Sequence, residues 1–217
     1  MEYQPARAEV ERIFAADLRE LTQSGDLSVR PPAVFSDWRM PDTGRQMLAE
    51  HGLPTVPASD IYLRVRGAFQ SGLDPEYRAA DDWSGYFIAE CGEVKIVCSE
   101  VIGSVVAVPN ERTLPPSLAA LHPQGISDEV INEGIHTFVD LAWRWYWLSP
   151  VLVKMEQDAG KADLTEFRRS GKAVPDVDFY EPYRALCGDV RDKFAALDHV
   201  AVSSNQSMWS NMIGGFE

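Results

Sequence analysis

Apolar residues along the chain change period several times, and each change predicts an element. From Pro5 onward, Val10, Ile13, Phe14, Leu18 and Leu21 keep the three-four spacing of one buried helical stripe. Pro5 suits a first helical turn, where its missing amide costs nothing, and Gly25 supplies a stop, so one helix is expected over residues 1–25. Leu27 and Val29 followed by Pro31-Pro32, which lack ladder donors, read as the end of a short strand or a connector. Thr43 and Gln46 have capping-box spacing and predict a short helix. Gly52 can take the left-handed turn that ends it, Leu53 can fold back beyond the cap, and Pro54 blocks continuation.

The period then drops to two. Ile61, Leu63 and Val65 alternate with Tyr62, Arg64 and Arg66, as in a half-buried strand. Short β-rich runs at 87–89, 94–98 and 104–108 are separated by Gly92 and by residues 99–103. Neighbours this close in sequence pair antiparallel, because parallel pairing needs a long crossover, so an antiparallel meander is expected. Residues 114–125, with Pro115, Pro116 and Pro123, read as a loop.

Helical spacing returns at Asn132, which reads as an N-cap. Ile135, Phe138, Leu141, Ala142, Trp145 and Leu148 share one face, predicted to cover the sheet. Trp143 and Trp147 lie nearly opposite, with Asp140 and Arg144, so the helix should be sandwiched. Residues 163–178 read as a charged surface excursion. Pro182 opens an amphipathic helix carrying Tyr183, Leu186, Cys187, Val190, Phe194 and Leu197. A last helix carries Trp209, Met212 and Ile213 ahead of Gly214-Gly215, and these two helices are the natural covers for Trp143 and Trp147. The whole is expected to be one domain, 1–217, with 1–25 an N-terminal helix and 150–217 a helical C-terminal cover.

Composition narrows the function. A hydrophobic content of 45% over 217 residues supports a sizeable core. Acidic residues outnumber basic ones 33 to 20, a formal charge of -13 that repels nucleic acid and anionic membranes and attracts basic partners. Cys91, Cys98 and Cys187 cannot all pair with one another and make no CxxC, which fits a reducing cytoplasm and buried small hydrophobes. The first residues lack a basic stretch with an apolar core behind it, and no run approaches the roughly 20 apolar residues that span a bilayer.

Catalytic patterns are wanting. His51, His122, His136 and His199 make no HExxH or HxxxH; Glu133 and His136 have ExxH spacing once, whereas a di-iron site needs it twice, so no metal is expected. Ser84 before Gly85 lacks the glycine of a GxSxG elbow, and nothing in sequence activates Cys91. Neither GxxxxGK[ST] nor GxGxxG occurs. Asp81-Asp82 and Asp176 with Asp178 read as solvated acidic loops rather than catalytic pairs. The expectation is a scaffold that presents a surface, with no catalytic residue and no cofactor.

The order of these signals resembles the SUKH superfamily, and in particular its bacterial group-four immunity proteins. The residues that carry the resemblance are Thr43-Gly44-Arg45 to Leu48 with Gly52-Leu53-Pro54, Phe87-Ile88, the turn through Gly103 to Val105-Val106, Val130-Ile131-Asn132 followed by Phe138-Val139, Leu197-Asp198, and Trp209. It spans most of the chain beyond the first helix. The chain departs from the pattern at Glu133-Gly134 and in the long 114–125 connector. The resemblance implies an α+β fold, a curved and mostly antiparallel sheet flanked by helices, in a cytoplasmic protein that neutralises a cognate toxin by binding it without catalysis. Many such toxins are nucleases with basic surfaces, which an acidic inhibitor would be steered toward. Contacts are expected at Asp81, Asp82, Trp83, Tyr86, Glu90 and Glu93, where aromatic residues lie beside carboxylates, the composition of interface hot spots. A regulatory protein-binding adaptor of the same fold is the alternative reading, and a small-molecule hydrolase the third.

Overall fold

The computed structural model describes residues 3–25, 38–54, 63–65, 77–80, 83–91, 94–100, 103–109, 129–171, 177–204 and 207–214. In chain order the elements are α1 (Tyr3–Ala15), α2 (Leu18–Gln23), α3 (Asp42–His51), β1 (Leu63–Val65), β2 (Tyr77–Ala80), β3 (Trp83–Cys91), β4 (Val94–Ser99), β5 (Val105–Pro109), β6 (Glu129–Asn132), α4 (Ile135–Ser170), α5 (Glu181–Leu197) and α6 (Met208–Gly214). The predicted features at Leu27 and Val29 and over 114–125 lie outside the described residues, as do Ile61, Tyr62 and Arg66.

The class is α+β. Every strand pairing is antiparallel, in the order β1-β3-β4-β5-β6, with β2 also pairing on β3. The meander β3-β4-β5 is as predicted, while β2 and β6 are additions. Register shifts between Arg78 and Ala80, Phe87 and Ala89, and Val105 and Val106 insert extra residues, the device by which strands bend. One face carries Tyr86, Ile88, Ala89, Ile96, Cys98, Val105, Ala107 and Ile131 into the main core shared with the helices. Val97, Val106 and Val108 form a second buried cluster.

Helix α4 organises that core. Ile135, Phe138, Leu141, Ala142, Trp145 and Leu148 are all buried, as their spacing predicts. The helix runs 36 residues, through Pro150, until Gly171 closes it with its amide on the Phe167 carbonyl at 2.8 Å. The predicted excursion over 163–178 is thus helical as far as Ser170. Proline removes one backbone bond, but burial of Val151, Leu152, Met155 and Ala159 around it holds the helix together, and Lys154, Lys161 and Asp158, then Glu166 and Arg169, add ion pairs one turn apart.

Four further expectations are corrected. The N-terminal stripe is two helices: Asp17 is extended and its carboxylate accepts from the Arg19 amide at 2.8 Å, capping α2 and interrupting the turn. The Thr43–Gln46 capping box does not form, because α3 starts two residues earlier, with Pro41 rather than Thr43 at its N-cap and Asp42 paired to Arg45. The stop does hold: Gly52 sits at φ 63°, its amide bonds to the Leu48 carbonyl at 2.8 Å, and Leu53 is buried. Leu197, expected on the apolar face of α5, is exposed.

The fourth concerns Trp143 and Trp147. Both are covered, but by the N-terminal helices and not by α5 and α6. Three helices end on α4, and α4 supplies the donors their last carbonyls lack. Trp143 Nε1 donates to the Gly52 carbonyl at 3.2 Å, Arg144 Nη1 to that of Ile13 at 2.6 Å, and Trp147 Nε1 to that of Leu21 at 3.2 Å. Gly44 lets α3 approach the start of α4, since a Cβ there would overlap the Ile135 Cγ2 methyl. Helices α5 and α6 instead pack on the Phe138 and Trp145 side, through Trp209.

Candidate binding surface and polar centre

Strand β3 carries three of the six residues expected to make contacts, Trp83, Tyr86 and Glu90. Asp81, Asp82 and Glu93 lie outside the described residues. Trp83 opens the strand, paired with Ala80, and Glu90 lies near its end, in register between Arg64 and Lys95. Seven steps of about 3.4 Å separate Trp83 from Glu90, roughly 24 Å, so the strand sets them apart. Tyr86 is buried: its ring stacks on Trp38 with centroids 4.2 Å apart, and its hydroxyl accepts from the Arg39 amide at 2.7 Å. A side chain so enclosed backs a surface and does not contact a partner directly.

A denser arrangement sits where β6 turns into α4. Asn132, expected as an N-cap, is the last residue of β6, and Gly134 precedes the helix instead. The Asn132 side chain points into the core. Its Nδ2 donates to Asp198 Oδ2 at 2.9 Å, and its Oδ1 accepts from Trp209 Nε1 at 3.0 Å. Asp198 Oδ2 also accepts from the Glu133 amide at 3.0 Å and from Thr137 Oγ1 at 2.6 Å, while Oδ1 accepts from the Val200 amide at 3.0 Å. One carboxylate therefore joins β6, the first turn of α4 and the turn after α5, and one indole adds α6. Asn132, Asp198 and Trp209 are separated too widely in sequence for spacing to pair them; only their shared appearance in the family resemblance marked them.

At the rim of this centre His199 Nδ1 lies 3.2 Å from Glu133 Oε1. Glu133 thus meets His199, and its ExxH spacing to His136 is not what it uses. Glu133, Asp198 and His199 bring ligand atoms within 4.8 Å of one another.

Two of the cysteines, Cys98 and Cys187, lie in the core. Burial pushes the Cys98 thiol up to about 12, which leaves it protonated, and Cys187 is buried as well. Asp140 is held above the ordinary carboxylate range by burial, which outweighs Arg144 at 2.9 Å; that contact is close but poorly aligned for a hydrogen bond. Glu129 is raised by burial, against the pull of the Met208 amide it accepts from at the start of α6.

A family model described as SUKH-4 immunity protein matches residues 13–214, nearly the whole chain. The chain belongs to the SUKH-4 immunity protein family. No curated protein and no solved structure matches it significantly. The SUKH-4 match begins within α1 and ends with α6, so it takes in every strand and the polar centre. Immunity is accordingly the function the family assigns, with a toxin as the partner that immunity requires. Among the described residues, no helix is long and apolar enough to cross a membrane, α4 included.

Proposed function

We propose that this protein neutralises one cognate toxin by direct, non-catalytic binding in the cytoplasm, and that the toxin is a nuclease with a basic substrate-binding surface. The family match over residues 13–214 carries the reading. The formal charge of -13 supports its finer part, because an acidic inhibitor is drawn electrostatically to a phosphate-binding surface. The whole chain, 1–217, acts as one unit. The footprint we propose runs along β3, from Asp81, Asp82 and Trp83 to Glu90 and Glu93, with Tyr86 as its buried backing. An interface of ordinary size buries about 800 Å² on each partner and is about 30 Å across, wide enough to take in both ends of the strand.

Capture from lysate of its own source identifies the toxin, and co-expression with that effector domain tests the function: cells survive, and the two purified chains form a complex. Failure to rescue against that domain would refute direct neutralisation. Two charge reversals test the footprint, Asp81→Lys with Asp82→Lys at one end and Glu90→Lys with Glu93→Lys at the other. Each should slow association at low salt, and with the two ends so far apart their effects should add. Unchanged affinity in both, with folding intact, would remove β3 from the interface and leave immunity standing.

A further inference from the structure

We propose that Glu133, Asp198 and His199 form a binding site for one divalent cation of the zinc class, a site independent of the toxin interface. Three observations lead there. First, the ligand atoms converge within 4.8 Å, and the 3.2 Å between His199 Nδ1 and Glu133 Oε1 is close to the spacing of two donors on one ion. Two atoms about 2.05 Å from a tetrahedral zinc lie about 3.3 Å apart.

Second, the deepest ligand is already held in place. Asp198 is 3% exposed, and its Oδ2 is saturated by Asn132, Thr137 and the Glu133 amide, whereas Oδ1 takes one donor, from Val200. A carboxylate fixed by such outer contacts is how metal ligands are oriented. Third, two carboxylates lie side by side, and among the described residues the ion pair either makes is that of Glu133 with His199, an imidazole that offsets their charge only when protonated. Like charges this close repel unless a cation lies between them.

One imidazole nitrogen and two carboxylate oxygens suit zinc, cobalt or nickel. They are too few and too mixed for calcium, which wants six to eight oxygens. Glu133 and His199 are 56% and 76% exposed on their side chains, so the outer face of the ion stays open to water. The ion would staple the turn after α5 to the turn before α4, reinforcing the contacts that Asp198 and His199 already make with Glu133.

Untagged, chelator-treated protein titrated with Co²⁺ tests this. One equivalent should bind with the visible absorption of low-coordinate cobalt and be displaced by Zn²⁺, while equal concentrations of Mg²⁺ and Ca²⁺ have no effect. His199→Ala and Glu133→Gln should each weaken binding at least about tenfold. Both side chains are largely exposed, so the variants keep the wild-type circular dichroism and urea midpoint without metal. Absence of stoichiometric binding would overturn the proposal, and so would binding that both variants retain unchanged.

Discussion

The bond between Trp209 and Asn132 is the clearest point at which to break the fold by a calculable amount. Both side chains are fully buried, and the 3.0 Å contact from Nε1 to Oδ1 ties α6 to the end of β6, beside the bond from the Met208 amide to Glu129. Trp209→Phe keeps an aromatic ring among Phe138, Trp145 and Phe194 but leaves Asn132 Oδ1 without its donor. A buried acceptor left unsatisfied costs about 1–3 kcal/mol. The lost ring volume, roughly 40 Å³ at about 24 cal/mol per Å³, adds about 1 kcal/mol, for a total of about 2–4.

Asn132→Ala leaves the Trp209 N–H unsatisfied and takes one donor from Asp198, for about 3–5 kcal/mol. Combined, the two substitutions remove both partners of one bond, so part of the penalty is no longer counted twice. The double variant should lose about 1–2 kcal/mol less than the sum of the singles. Urea unfolding followed by circular dichroism measures all three, with an unchanged slope as the condition for reading midpoints as stability. A loss below about 0.5 kcal/mol for Trp209→Phe, or additivity within about 0.5, would show that the bond does not hold this corner.

Three other outcomes follow from burial. Asp140 has a native pKa raised above 3.8 by burial, so the stability it contributes is fully present below that value and is lost as pH rises through its native pKa. The stability of wild type relative to Asp140→Asn should therefore fall as pH rises above about 3.8 and level once the raised native pKa is passed, and urea midpoints that rise instead would contradict this. With its pKa near 12, Cys98 is thiolate in only about one molecule in ten thousand at pH 8, so mass spectrometry should find it unalkylated by iodoacetamide until denaturant is added. Leu164 and Phe167 lie in the last ten residues of α4, none of which is buried, so serine at both should change unfolding by no more than about 0.5 kcal/mol, whereas Phe138→Ala should cost about 3–5.

Period alone revealed the face of α4, the apolar side of α5 and the β3-β4-β5 meander, because in each the buried residues repeat at the element's own spacing. It failed where a distant partner decides. The charged run from residue 163 read as a surface excursion, yet α4 continues to Ser170, carried past Pro150 by Val151, Leu152 and Met155, which meet the core. Strand β6 is four residues long and exists through its pairing with β5, Val105 opposite Asn132, which nothing local announces. The covers of Trp143 and Trp147 were assigned to the nearest unplaced helices in sequence. What selects the actual covers is the need of three helix ends for donors, a matter of hydrogen-bond accounting rather than of apolar spacing.

Although Thr43, Val130 and Leu197 are exposed, six of the residues that carry the family resemblance mark the scaffold rather than the contact surface. Gly44, Gly52, Gly103, Asn132, Asp198 and Trp209 are all buried. Gly44 admits α4, the Gly103 carbonyl receives the Ile135 amide at 3.1 Å, and the last three tie the sheet edge to the C-terminal helices. None offers a partner anything to touch, so recognition of one toxin over another must rest on other residues. The charge of -13 acts at a distance and raises the rate of encounter with any basic surface, which gives speed without discrimination. Discrimination then belongs to short-range contacts, and the two contributions separate experimentally: raising salt should slow association, whereas substitutions within the footprint should change dissociation. Dissociation that tracked salt as steeply as association would mean that charge alone holds the complex, and the proposed footprint would lose its role.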